Sequence, residues 1–199
     1  TAFDANTESI KIDAKGKTIT FNKPVLDVLP FAGASVEVKN ATIETSGSTI
    51  GGVARQHALV FDCPVKMTDV VTTTTILVRG DYDSEFNNVT FTDSYNSYSL
   101  WIDPNGQDVK VTNCTFNCPR GIKVEDEHVV YDVKDTKLTV SGTTFITSKK
   151  AAVLVYSGKK VEITWEGGNN IDEVAEDDDH AVWIDEKVRG LGYDEATTH

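Results

Sequence analysis

The feature that most constrains this chain is a Thr–apolar pair that recurs along its length. It occurs at Thr18-Ile19, Thr42-Ile43, Thr90-Phe91, Thr115-Phe116, Thr144-Phe145 and Thr164-Trp165. The first step is 24 (18 to 42) and the next is 48 (42 to 90), twice 24, with Lys66-Met67 keeping the apolar half at the skipped place. Later steps are 25, 29 and 20. Four of the pairs close similar phrases, VEVKNATI, EFNNVTF, VKVTNCTF and LTVSGTTF, each with a turn residue shortly before the pair. A fixed period built on strand-type alternation is the mark of a solenoid, one coil per repeat.

Two further sets of alternating apolar residues belong to each coil. One is Leu59/Phe61, Ile76/Val78, Leu100/Ile102, Ile122/Val124, Val153/Val155 and Val182/Ile184. The other precedes the turn: Ile10/Ile12, Val36/Val38, Val109/Val111, Leu138/Val140 and Val161/Ile163. Spacing of two puts one face on a core and one on solvent. Three short strands per coil predict an all-β parallel β-helix of about seven coils of about 24 residues, roughly 34 Å long at the spacing of stacked strands. The chain reads as a single domain, 1–199, with its core at about 9–186 and a tail at 187–199. It begins at Thr1, so it is expected to be part of a longer chain with neighbouring domains over the solenoid ends. The insertion His128–Lys134 accounts for the step of 29.

Asn40, Asn88 and Asn113 hold the same place in their coils, with Gly16 and Gly142 there in others. Asn and Gly tolerate a left-handed bend, and stacked Asn side chains hydrogen-bond from coil to coil. These three asparagines also begin N-x-T sequons, which read as a by-product of turn plus Thr strand, with each Asn packed against its neighbours. On these features the sequence resembles the right-handed parallel β-helix of the pectin-lyase-like superfamily, from about Ser9 to Glu186. SLWIDPNGQDVKVTNCTF and HAVWIDE look most like surface-protein repeats of gut bacteria and their phages. The superfamily spans lyases, hydrolases, esterases, tailspikes and inert adhesive repeats, so the resemblance speaks to fold far more than to activity.

Parity names the outward residues of the strand carrying the Leu100/Ile102-type pairs. One column runs Val60, Leu77, Trp101, Lys123, Leu154 and Trp183. The next runs Asp62, Arg79, Asp103, Glu125, Tyr156 and Asp185. Outward apolar and aromatic residues on a solenoid need a cover, which is a glycan, a sister subunit or a loop of the same chain. The expected binding face is Trp101, Asp103, Lys123, Glu125, Tyr156, Trp183 and Asp185.

Asp103 and Glu125 would lie on adjacent coils about 5 Å apart, a spacing that also suits a retaining glycosidase pair. Against that reading stands a solvated acidic face, which 31 acidic against 19 basic residues and a net charge of −12 already predict. Arg79 and Arg120 are the basic residues near this face. A polygalacturonase-like enzyme would show paired aspartates after a strand with a nearby His, and a pectin-methylesterase-like one a GxxDFIFG phrase. Neither is present, and the acidic run Glu176–Asp179 belongs to a connection. A pectate-lyase-like enzyme needs calcium-binding acids beside an Arg. Asp81/Asp83/Glu85 and Asp103/Asn105/Asp108 are the two oxygen sets that calcium would use, and both also read as turn chemistry. No other cofactor is implied. His57, His128, His180 and His199 have no Ser or Cys partner at a recognisable spacing. Three cysteines, Cys63, Cys114 and Cys118, leave at least one outside any bridge and read as small buried hydrophobes. Regular Thr arrays on solenoids can bind ice, but Glu44, Lys66, Asn117 and Glu166 interrupt this one.

The negative charge excludes nucleic acid as a partner, because phosphate contacts need Lys/Arg clusters. No stretch approaches the roughly 18 apolar residues of a membrane span. The expectation is therefore a non-catalytic structural or adhesive module of an extracellular bacterial surface protein or phage appendage, contacting a glycan or cell-surface receptor. The alternatives are a polysaccharide-degrading lyase or hydrolase using the same face, and a subunit of a β-helical oligomer such as a trimer.

Overall fold

The computed structural model describes residues 9–21, 35–45, 58–92, 98–125, 135–147, 152–156, 161–173 and 182–184. Sixteen strands are described. They are β1 (Ser9–Phe21), β2 (Ser35–Thr45), β3 (Ala58–Phe61), β4 (Val65–Thr72), β5 (Thr75–Val78), β6 (Ser84–Phe91), β7 (Tyr98–Ile102) and β8 (Asp108–Thr112). There follow β9 (Thr115–Cys118), β10 (Arg120–Glu125), β11 (Thr136–Ser141), β12 (Thr144–Thr147), β13 (Val153–Tyr156), β14 (Val161–Trp165), β15 (Asn170–Glu173) and β16 (Val182–Ile184).

All described pairings are parallel and join strands of successive coils. One sheet stacks β1-β2-β4-β6-β8-β11-β14, with β9, β12 and β15 continuing it round the bend; the other stacks β3-β5-β7-β10-β13-β16. This is the parallel β-helix the period predicts. Seven strands stack in the first sheet, at about 25 residues per turn against about 24 expected. The expected insertion 128–134 lies outside the described residues. Circular dichroism should show strand with almost no helix, and a helix content above about 20% would contradict the stack.

Inward residues fill a narrow core. Phe91, Phe116 and Phe145 are fully buried. Their rings stack at 4.3 Å and 4.9 Å between centroids, with planes within 3° and 6°, and Trp165 continues the pile at 5.7 Å from Phe145.

The bend is left-handed in every coil that holds Asn: Asn40, Asn88 and Asn113 have φ of 51°, 53° and 52°, and Gly142 has 57°. Asp69 takes the same place at 54°. The asparagines are exposed at the outer corner, not packed under their neighbours, because a left-handed residue there turns its side chain away from the core. The ladder mixes amides with acids: Asn40 Nδ2 donates to Asp13 Oδ1 at 3.0 Å and Asn88 Nδ2 to Asp69 Oδ1 at 2.6 Å.

Two members of the repeat belong elsewhere. Lys66-Met67 pairs with Glu37-Val38 and Glu85-Phe86, before the bend; the residues in register with Thr42-Ile43 are Val71-Thr72. Thr164-Trp165 likewise pairs before the bend, with Thr139-Val140, and the partners of Thr144-Phe145 are Asn170-Ile171. The last bend is longer, residues 166–169 where the coil below uses 142–143. Asn169 secures it, accepting from Thr143 N at 2.9 Å and donating to Val140 O at 2.9 Å. The anomalous step of 20 disappears: Phe145 to Ile171 is 26.

Candidate functional site

The outward columns follow from register. Val60, Leu77, Trp101, Lys123, Leu154 and Trp183 pair one after another across the β3-β5-β7-β10-β13-β16 sheet. Glu125 pairs with Tyr156 in the adjacent column, and the amides of Arg79 and Asp103 continue the ladder by donating to Phe61 O and Val78 O at 3.1 Å and 2.9 Å. Tyr156 and Trp183 are placed by their backbones alone, and Asp185 lies outside the described residues. So do His57, His128, His180, His199 and the run 176–179.

The face is less open than parity suggests. Val60 and Leu77 point away from the core yet are 8% exposed, and Trp101 packs on them to form a second small apolar cluster. Beside it, the Asp62 carboxylate takes both Nε and Nη2 of Arg79, the latter at 2.7 Å, in a half-buried fork. Asp103 is buried, at 4% exposure, which corrects the expectation of a solvated acidic face at that position.

Cations meet aromatic rings one coil further on. Lys123 Nζ lies 4.6 Å from the Trp101 ring centroid and 5.7 Å from that of Tyr98. Arg120 Cζ lies 5.6 Å from the Tyr98 ring. Such distances fall within cation–π range. Lys123 also pairs with Glu125 Oε2 across one strand, both side chains being less than a fifth exposed. Glu125 Oε2, the oxygen that meets the ammonium, is buried. Trp101 Nε1 and Arg120 Nε are buried donors with no acceptor among the described residues. Tyr98 went unnoticed in the sequence, although it sits two residues before Leu100 at the start of β7.

The two calcium sets do not assemble. Glu85 turns to Lys66 at 2.9 Å, whose ammonium holds its carboxyl below the usual range, and Asp83 Oδ1 accepts from Asp108 N at 2.8 Å. Asp81, the third of that set, lies exposed. The Asp103–Asp108 turn is occupied internally: Asn105 N donates to Gln107 Oε1 at 2.6 Å, Gln107 Nε2 to Asp103 O at 2.8 Å, and Gly106 N to Thr136 Oγ1 at 2.9 Å. Among the described residues no three of His, Cys, Asp and Glu come together as a metal would need.

The cysteines are buried and form no disulfide. Burial pushes the thiols of Cys63 and Cys114 up to about 11, with Asp62 adding to the effect on Cys63. Both stay protonated at neutral pH and are poor nucleophiles. The Thr array is a single column, Thr18, Thr42, Val71, Thr90, Thr115 and Thr144, with Thr68 in a different one.

A feature invisible to the repeat search lies on the opposite sheet. Lys11, Glu37, Lys66, Glu85 and Lys110 stack in register as alternating charges. Lys11–Glu37 is 3.5 Å. These pairs are exposed and contribute little each, but they keep like charges apart along the stack.

Searches of curated proteins and of solved structures returned no match. The model of one protein family, described as the right handed beta helix region, matches residues 3–168, most of the chain and both sheets. With the stacked parallel coils and the left-handed bend in register, the chain belongs to the right-handed β-helix family.

Proposed function

We propose that this chain is a non-catalytic β-helical module of an extracellular bacterial surface protein or phage appendage, and that the outer face around Trp101 contacts a glycan. The observation that carries the reading is the cluster of Tyr98, Trp101, Arg120 and Lys123 on one side of a stiff rod. The partly exposed Trp101 ring offers an apolar face to a sugar ring, and the Arg120 and Lys123 side chains beside the rings carry donors that suit hydroxyl acceptors. The backbone ladders hold these groups in place before any ligand arrives, which lowers the ordering cost of binding.

Binding to a panel of immobilised polysaccharides tests the reading. Trp101→Ala should weaken retention at least about tenfold, as loss of an aromatic anchor does. It should leave the melting temperature within about 4 °C, since it trims only a small outer cluster. Undiminished retention would overturn the proposal. Cleavage of a polysaccharide by the wild-type chain, abolished by Glu125→Gln, would replace it with the enzyme reading, in which Asp103 and Glu125 serve as the acids. A change in sedimentation instead of binding would make the face a seam between copies.

A further inference from the structure

We propose that Tyr98, Trp101 and Glu125 form a cage for an ammonium group, that the chain's own Lys123 occupies it, and that the ligand is a glycan bearing free amino groups. The polymer part rests on the glycan reading above; the cage does not.

Three observations converge on it. Lys123 Nζ lies over the Trp101 ring at 4.6 Å, near the Tyr98 ring at 5.7 Å, and beside Glu125. Two rings and a carboxylate around one ammonium is the arrangement proteins use to recognise amine and quaternary ammonium ligands. Second, the occupant is tethered and the site is nearly closed: the Lys123 and Glu125 side chains are each less than a fifth exposed, and the Glu125 Oε2 that meets the ammonium is buried. A free amine, not tethered to β10, can meet the same oxygen. The four-carbon lysine stem can swing the ammonium out to solvent.

The third observation is charge. Asp103, Glu125, Arg120 and Lys123 sum to zero; with Lys123 turned away the remaining three carry −1, which an incoming ammonium neutralises. The whole chain carries −12, so its field gathers cations and repels polyanions. Lys123 then acts as a tethered competitor, lowering wild-type affinity by its high effective concentration.

Tetramethylammonium chloride, followed by tryptophan fluorescence, tests the cage directly. Lys123→Ala should bind it about tenfold more tightly than wild type. Adding Trp101→Phe or Glu125→Gln to that variant should reverse the gain. No gain in a folded Lys123→Ala protein overturns the cage. Should that variant fail to fold, the wild type decides: a saturable response to tetramethylammonium absent with sodium chloride at equal ionic strength supports the cage, and its absence overturns it. Glucosamine oligomers, free or N-acetylated, test the ligand class. Preference for the amino form by about tenfold or more supports the whole proposal. Equal binding of both forms, lost in Trp101→Ala, overturns the amino-bearing ligand and keeps the glycan reading. A response to tetramethylammonium with neither oligomer bound keeps the cage and overturns the glycan reading.

Discussion

Phe116→Ala should cost about 3–5 kcal/mol of folding stability, measured by denaturant unfolding. Phe116 has no exposed surface and lies between Phe91 and Phe145, its ring parallel to both within 6°. Removing the ring opens a slot that the neighbours cannot close. Their backbones are tied to Phe116's own strand in register, Phe91 to Phe116 and Phe116 to Phe145, at the fixed spacing of stacked strands. Collapse would therefore have to break the ladder, so the cavity cost is added to the lost transfer energy. A loss under about 1 kcal/mol would mean that the slot relaxes and that the pile contributes little beyond filling space.

The Phe pile and the outward columns were legible because both depend only on parity. A strand alternates its side chains without exception while it stays regular, so Leu100 and Ile102 inside put Trp101 outside. The errors fall where regularity stops. Trp165 looks like a member of the Phe pile and does extend it, but from the strand before the bend, because the bend at 166–169 has two more residues than the one at 142–143. Val71-Thr72 escaped notice because Thr occupies the inward place there, with its hydroxyl donating to Thr74 O at 3.0 Å. A search for Thr followed by a large apolar residue cannot find that rung. The cage was legible only in part, and its Tyr98 not at all. Trp101, Lys123 and Glu125 were placed on one face, but whether Lys123 extends to solvent or folds over a ring is decided by side-chain torsions, which carry no period. Burial of Asp103, Val60 and Leu77 was hidden for a related reason: parity gives direction, and cover depends on the connections.

Gly121→Ala should destabilise the chain by about 3 kcal/mol, the upper part of the range for an overpacked site. Gly121 sits between Arg120 and Ile122 near the start of β10. A Cβ there would overlap the carbonyl oxygen of Ala152 on the next coil and lie 3.2 Å from a ring carbon of Phe145. The carbonyl cannot retreat cheaply, because Ile122 N donates to it at 2.8 Å. Separating the coils to make room would loosen that bond and the Ile122–Val153 pairing beside it. It would also displace Arg120 and Lys123, the two cations that reach the Tyr98 ring. The loss corresponds to a fall of about 6–12 °C in melting temperature for a chain of this size. Gly142→Ala makes a useful contrast: its φ of 57° disfavours Ala, but the Cβ would meet Asn113 Oδ1, the end of an exposed side chain that can rotate away. Gly167→Ala is the control, since nothing lies within 4 Å of its Cβ, and it should change stability by less than about 0.5 kcal/mol. If Gly121→Ala melted with the Gly167→Ala control, β10 and Ala152 would not approach as closely as the paired coils require.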